Sequence, residues 1–211
     1  MAVSHRAAAG GVSILLVLAA CGCASHHSVR WDRPVAIGAR PPAGPIAVME
    51  PLILGTASPG NVGRDFAAIR AGVTTRIVSI VRERVPRTVI ADSRAQAGPT
   101  MPSAYRLATG ETVVTAEEIN AASQALQGGA TYLLVPTITE WTQMRTDDPI
   151  GVLTLPRNSI TLTLRLMRLE PPALVGQVTF HNRAHLTLNQ PALRLLNGRF
   201  RDVTLRLVTG E

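Results

Sequence analysis

From residue 45 onward the apolar positions of this chain alternate between strand-like and helix-like spacing in a readable order. The run 45–49 is short and wholly apolar, as expected of a strand covered on both faces. Phe66, Ile69, Val73, Ile77 and Ile80 then recur at helical spacing, with Arg70, Arg76 and Arg84 off that stripe, which predicts a helix over 64–84. A second strand is predicted over 87–91, bounded by Pro86 and Asp92. Thr115-Ala-Glu-Glu118 is a capping box that opens a second helix. Ile119, Ala122, Ala125 and Leu126 form its buried stripe, and Gly128-Gly129 ends it. Placed in that first turn, Glu117 and Glu118 are explained by the helix dipole more simply than by acid–base chemistry.

The second half reads as a meander. Residues 130–145 form a long strand, apolar on both faces at Tyr132-Leu-Leu-Val135 and so predicted to be central, with Pro136 marking a bulge or an unpaired side. In 159–169, Ile160, Leu162, Leu164 and Leu166 are predicted to face inward, and Thr161, Thr163 and Arg165 outward. Pro171-Pro172 turns the chain into a strand over 173–188. Leu174, Val178, Phe180, Ala184 and Leu186 share one of its faces; Val175, Gln177, Thr179, His181, Arg183 and His185 share the other. A closing helix begins at Pro191 and breaks or kinks at Asn197-Gly198. The order βαβαβββα predicts an α/β two-layer sandwich, with helices on one face of a mixed sheet of about five strands.

The amino-terminal pattern is different. After His5 and Arg6, residues 12–20 form an apolar core interrupted only by Ser13. A bilayer needs roughly 20 apolar residues to span it, so this core fits a secretory signal instead. Its end, Leu18-Ala19-Ala20-Cys21, resembles a bacterial lipobox. The resemblance implies cleavage before Cys21 and a diacylglyceryl thioether on its sulfur, since a thiol is the soft nucleophile that alkylation needs. Two or three acyl chains, at roughly 0.8 kcal/mol per buried methylene, make such an anchor permanent. Gly22 rather than Asp follows the cysteine, which in lipoproteins implies outer-membrane sorting. Residues 1–20 are therefore expected to be a signal peptide, 21–44 an extended tether rich in Pro, Gly and Ser, and 45–211 a single domain.

Composition narrows the chemistry. With 46% hydrophobic but only 3% aromatic residues, the core must be built from Leu, Val, Ile and Ala. The net charge of +7 is carried by 21 arginines and no lysine, scattered along the chain, which favours acidic partners or anionic lipid over nucleic acid. Only Cys21 and Cys23 occur, so lipidation of the first leaves no disulfide framework and no Cys-x-Cys metal site. His26-His27 lacks further ligands, and His181 and His185 lie roughly 13 Å apart on a strand, too far to share an ion. The loop from Gly55 to Gly60 has no Lys-Ser/Thr after its second glycine and is no phosphate loop. No cofactor is implied. Residues 93–112 lack periodicity and contain Tyr105, a first candidate for partner contact.

Tyr132-Leu-Leu-Val-Pro136 with Ile138, Glu140-Trp141 and Arg145-Thr146, and later Pro191-Ala-Leu-Arg-Leu-Leu196, resemble an uncharacterised proteobacterial lipoprotein family. That family is grouped with the CsgG-like and TolB N-terminal-like folds, whose members include curli secretion lipoproteins and activators of penicillin-binding proteins. The resemblance covers the chain from about Ile46 onward and implies a fold and an envelope location, with no assigned reaction. Thr142 stands where the family has an acidic residue, and no second Trp follows near Gly151.

The expectation is thus a non-enzymatic lipoprotein anchored by lipid on Cys21 in the outer membrane and facing the periplasm. It would bind a protein partner in envelope assembly or transport, with Tyr105, Trp141 and Arg145 as candidate contacts. Self-association, including a CsgG-like secretion pore, is the alternative. An envelope hydrolase is a weaker one, because no G-x-S-x-G, H-E-x-x-H or Cys/His arrangement is present.

Overall fold

The computed structural model describes residues 25–33, 44–54, 66–92, 105, 114–142, 157–185, 192–196 and 198–210. Among the described residues the seven strands are β1 (Ser25–Arg33), β2 (Ile46–Met49), β3 (Leu52–Ile53), β4 (Val89–Ala91), β5 (Tyr132–Thr142), β6 (Arg157–Leu169) and β7 (Pro172–His185). The helices with ranges among the described residues are α1 (Phe66–Arg82), α2 (Ala116–Gln127) and α3 (Gly198–Thr209), with a 3₁₀ turn at Ala192–Leu195 ahead of α3. One mixed sheet runs β1-β7-β6-β5-β2-β4, and β3 also pairs with β5. The α/β class and mixed sheet are those the sequence predicts, with seven strands instead of about five.

β5 joins the two halves of the sheet. On one side it pairs antiparallel with β6, and β6, β7 and β1 continue as an antiparallel ribbon. On the other side it pairs parallel with β2 and β3. β2 and β3 are one edge broken at Glu50-Pro51: β2 reaches Leu134, and β3 resumes at Thr137. The break falls beside Val135 and Pro136, so two prolines that cannot donate face each other across the gap in this ladder. The bulge itself lies farther along β5, between Ile138 and Glu140.

Helices cover both faces of the sheet, a correction to the one-sided packing expected. α1, α3 and the 3₁₀ turn share the face of Ile46, Val48, Leu134, Ile160, Leu162, Leu164 and Leu166. α2 lies over the opposite face, where Ala121, Ala122 and Ala125 meet Ala47, Met49, Leu133, Val135 and Met167. Small alanines let the helix approach the strands closely. Thr115 caps α2 as predicted, its hydroxyl accepting from the Glu118 amide at 3.1 Å. At the other end Gly129 takes φ of 74°, and the amides of Gly128 and Ala130 close on Gln124 and Ala125.

Two alternation readings change as a result. Arg165, expected to face outward, is on the outward-reading side of β6 but is 3% exposed because α2 covers it. A register shift opposite Leu166/Met167 inserts Val175 as an extra residue in β7. Leu174 therefore packs with the α2 core, whereas Val175 packs with the α1/α3 core, the reverse of a strict period of two.

The closing segment is pinned to the opposite core. Phe200 of α3 meets Phe180 of β7 edge-on, with ring centroids 5.2 Å apart. Arg76 of α1 donates to the Leu196 carbonyl at 3.0 Å, and Asn182 of β7 donates to that of Leu195 at 2.8 Å. A Cβ on Gly72 would come within 2.6 Å of Leu193, so glycine permits α1 to approach the 3₁₀ turn.

β1 lies inside the stretch 21–44 expected to be tether. It pairs with β7 from Ser25↔Ala184 to Arg33↔Gln177 and forms one edge of the sheet. Val29 and Trp31 face the α1/α3 core, and Arg206 of α3 stacks over the Trp31 ring at 5.3 Å.

Candidate functional site

Of the expected contact residues, Tyr105 and Trp141 are both buried. Tyr105 is fully enclosed, and its hydroxyl donates to Oε1 of Glu118 at 3.0 Å. Glu118 is itself 0% exposed, and its Oε2 accepts from Arg165 Nη2 at 2.7 Å. Within the fold the phenol thus serves an interior carboxylate. Trp141 is 3% exposed. The extra residue at Thr139 reverses the parity of β5, so Trp141 aligns with Ile160 on the core side and Glu140 with Thr161 on the other. Without that bulge their sides would be exchanged. Cys21 and Arg145 lie outside the described residues.

The bulge delivers Glu140 to a polar row on the face beyond α2. Ser159 donates to Glu140 Oε1 at 2.7 Å and Thr161 donates to Oε2 at 2.8 Å. These hydrogen bonds, Ser159's foremost, hold the Glu140 carboxyl below its ordinary value of 4.5 despite partial burial, with help from His181 and Arg183. Thr161 Oγ1 also lies 2.8 Å from His181 Nδ1. Its single proton goes to Glu140, so it accepts from Nδ1–H, which fixes the imidazole's hydrogen bonding. Farther along, Thr163 and Thr179 are 3.1 Å apart, Thr179 donates to Asp32 at 3.0 Å, and Arg30 pairs with Asp32 at 2.6 Å. The row crosses β5, β6, β7 and β1.

Hydroxyl, imidazole and carboxylate lie together here, but in the wrong sense for nucleophilic catalysis. A base must take the hydroxyl proton, whereas His181 donates to Thr161 and Glu140 is held as a weak base. The row instead joins four strands through mutually satisfied side chains. His181, one of the polar-face histidines expected from alternation, is 35% exposed and faces its outer side.

At the end of the sheet where β1 begins, the register gathers cationic and titratable residues. His26 is opposite Arg183, His27 opposite Asn182, Ser28 opposite His181, and Arg157 opposite His185. These residues come from three distant parts of the chain. The histidines stand out in the sequence only as isolated pairs, and nothing there brings them beside Arg157 and Arg183; the clue to β1 is the alternation of Val29 and Trp31 with Arg30 and Asp32.

No protein-family model matches the chain, and no curated protein does. Among solved structures, it is similar to a dodecamer of a single-substitution variant of PelC from Paraburkholderia phytofirmans, at 14% identity and a TM-score of 0.51, covering 87% of this chain and 99% of that one. A second PelC dodecamer structure from the same organism covers 88% and 94%, at 13% identity and a TM-score of 0.43. Lipoprotein GNA1162 from Neisseria meningitidis covers 79% and 99%, at 13% identity and a TM-score of 0.39. The similarity to the first is one of fold.

Proposed function

We propose that the protein is a lipoprotein anchored through Cys21 in the outer membrane, facing the periplasm, where it acts by binding protein and not by catalysis in envelope assembly or transport. The observation that carries this reading is Leu18-Ala19-Ala20-Cys21 at the end of a short apolar core. The sheet supports it, because its polar row is built for cohesion. Mass spectrometry of the native amino terminus tests the anchor: an acylated Cys21 is expected, and an unmodified thiol or a freely soluble mature product overturns it. Crosslinking in intact envelopes tests partner binding; repeated recovery of no partner overturns that part.

A second reading has copies of this chain as the partner. It is favoured by the fold shared with the PelC dodecamer. In this form the protein would be a subunit of a ring, with a CsgG-like secretion pore as its most specific version. Light scattering on detergent-purified protein distinguishes a ring from a monomer, and conductance across planar bilayers tests the pore.

A further inference from the structure

We propose that a protein partner docks where α1 turns into β4, and that it presents an acidic, partly apolar segment to this corner of the fold. The inference rests on the protein-binding reading above and names where such a partner sits and what chemistry it carries. Its basis is an uneven distribution of charge over the fold. Residues 66–87 and 192–210, which build the α1/α3 layer, carry eight exposed arginines against two exposed carboxylates, Glu83 and Asp202. Residues 114–129, around α2, carry no arginine. Arg201 takes up both carboxylates, Glu83 at 2.5 Å and Asp202 at 3.5 Å. That leaves Arg84 and Arg87 with no ion pair among the described residues.

Contacts between the two helical segments bring these groups together. Gly72 lies against Leu193, Arg76 donates to the Leu196 carbonyl at 3.0 Å, and Glu83 meets Arg201. The two segments thus run side by side. Arg201, by its hydrogen bonds, and then Arg76 and Arg84 hold the Glu83 carboxyl below its ordinary value. Arg82 reaches the other way and donates to the Thr88 carbonyl at 3.1 Å, tying the end of α1 to the start of β4. Val89 and Ile90 follow directly, 45% and 56% exposed. With Leu54, farther along the same edge, they are the exposed large apolar side chains of the described residues.

An apolar sheet edge beside arginines without ion pairs fits a protein segment better than other anions. Carboxylates match the planar guanidinium fork, and apolar side chains of the same segment can cover Val89 and Ile90. A bilayer would have to accept the outer backbone of β4, the last strand of the sheet, with no water to satisfy it. Neither α1 nor α3 offers an exposed large apolar side chain to enter the lipid. A polyanionic sugar would leave Val89 and Ile90 wet. The acidic residues of this edge, Glu50 and Asp92, follow Met49 and Ala91 at the far end of β4. They direct the partner's carboxylates to the Arg84 and Arg87 end.

The test places photoreactive benzoylphenylalanine at Ile90, or at exposed Gln127 of α2 as a control, in the full-length protein in intact envelopes. Mass spectrometry then reads the peptide joined to it. The expected result is an adduct at 90 and not at 127, to a peptide of another protein with Asp or Glu beside the crosslinked residue. Adding Arg84→Gln and Arg87→Gln should cut its yield several-fold. Arg30→Gln with Arg168→Gln, an equal loss of charge elsewhere, should leave the yield unchanged. An adduct to lipid, to polysaccharide or to this chain itself overturns the proposal. So does a peptide without acidic residues, or an equal loss in the charge-matched control. Non-specific crosslinking of the same envelopes separates the two failures. A partner recovered there but absent at position 90 sinks only this site, whereas no partner by either route sinks protein binding as well.

Discussion

Glu118 and Arg165 meet at 2.7 Å in the interior, the first from the opening turn of α2 and the second from the middle of β6. Their side chains are 0% and 4% exposed, and Tyr105 donates a further hydrogen bond to the carboxylate. The pair ties α2 to the sheet at one azimuth, because alanine contacts alone would let the helix slide. Glu118→Gln or Arg165→Met leaves one charge buried and is expected to cost about 3–5 kcal/mol. The double replacement Glu118→Leu/Arg165→Met is expected to recover most of that loss. Tyr105→Phe is expected to cost about 2 kcal/mol, since its hydrogen bond is to a charged acceptor. Urea denaturation of all four variants checks the set, and additive losses in the double variant would contradict the coupling.

The depressed carboxyl of Glu140 gives a pH dependence of definite sign. Its proton is bound more weakly in the folded protein than in the unfolded chain, so the carboxylate stabilises the fold above its ordinary value of 4.5. That contribution fades as pH falls through the lower folded value. Glu140→Gln should therefore be less stable than the parent at neutral pH, with the difference shrinking below pH 4.5. Urea midpoints across this range report it, and a difference that grows on acidification would contradict the hydrogen-bond assignment.

Phe180 and Phe200 fasten α3 to β7. Both are 0% exposed, so Phe200→Ala is expected to cost about 3–5 kcal/mol. Phe200→Leu should cost less than half as much. Thermal unfolding distinguishes them, and equal losses would mean that the edge-on ring geometry and cavity matter little.

Trp31 is the apolar fastener of the edge strand. Trp31→Ala is expected to remove about 2 kcal/mol, most of it from loss of aromatic area against the core. Arg206→Ala should cost about 0.5–1 kcal/mol by removing the cation over the ring. Hydrogen exchange should quicken at β1 in the tryptophan variant while the β5–β6 ladder stays protected. Uniform deprotection would show that β1 does not open by itself.

Local rules made much of this architecture readable in advance. The Phe66–Arg82 helix followed from its apolar period, Thr115 from its capping box, and β5 to β7 from alternation bounded by turn residues. The failures share one cause: a strand's pattern does not show what comes to lie on its second face. Arg165 read as solvent-facing, yet Met167 and Leu169, in step with it, already signalled that this side becomes apolar toward the strand's end. Trp141 read as a contact residue because nothing local announces the bulge at Thr139 that turns it inward. Tyr105 lay in an aperiodic stretch, and its role depends on a glutamate and an arginine placed there by the fold. β1 was hidden by its polar composition, since only two of its residues need be apolar to cover one core face.

The pairing of Ser25 with Ala184 also has a bearing on the order of folding. Most of the chain separates these neighbours, whereas the β5–β6–β7 ribbon is assembled from adjacent segments that close quickly. β1 is thus among the last strands to find its place, and until β7 has formed it stays unpaired. A chain caught before that step would expose β7's vacant edge to any chaperone that binds unpaired strands.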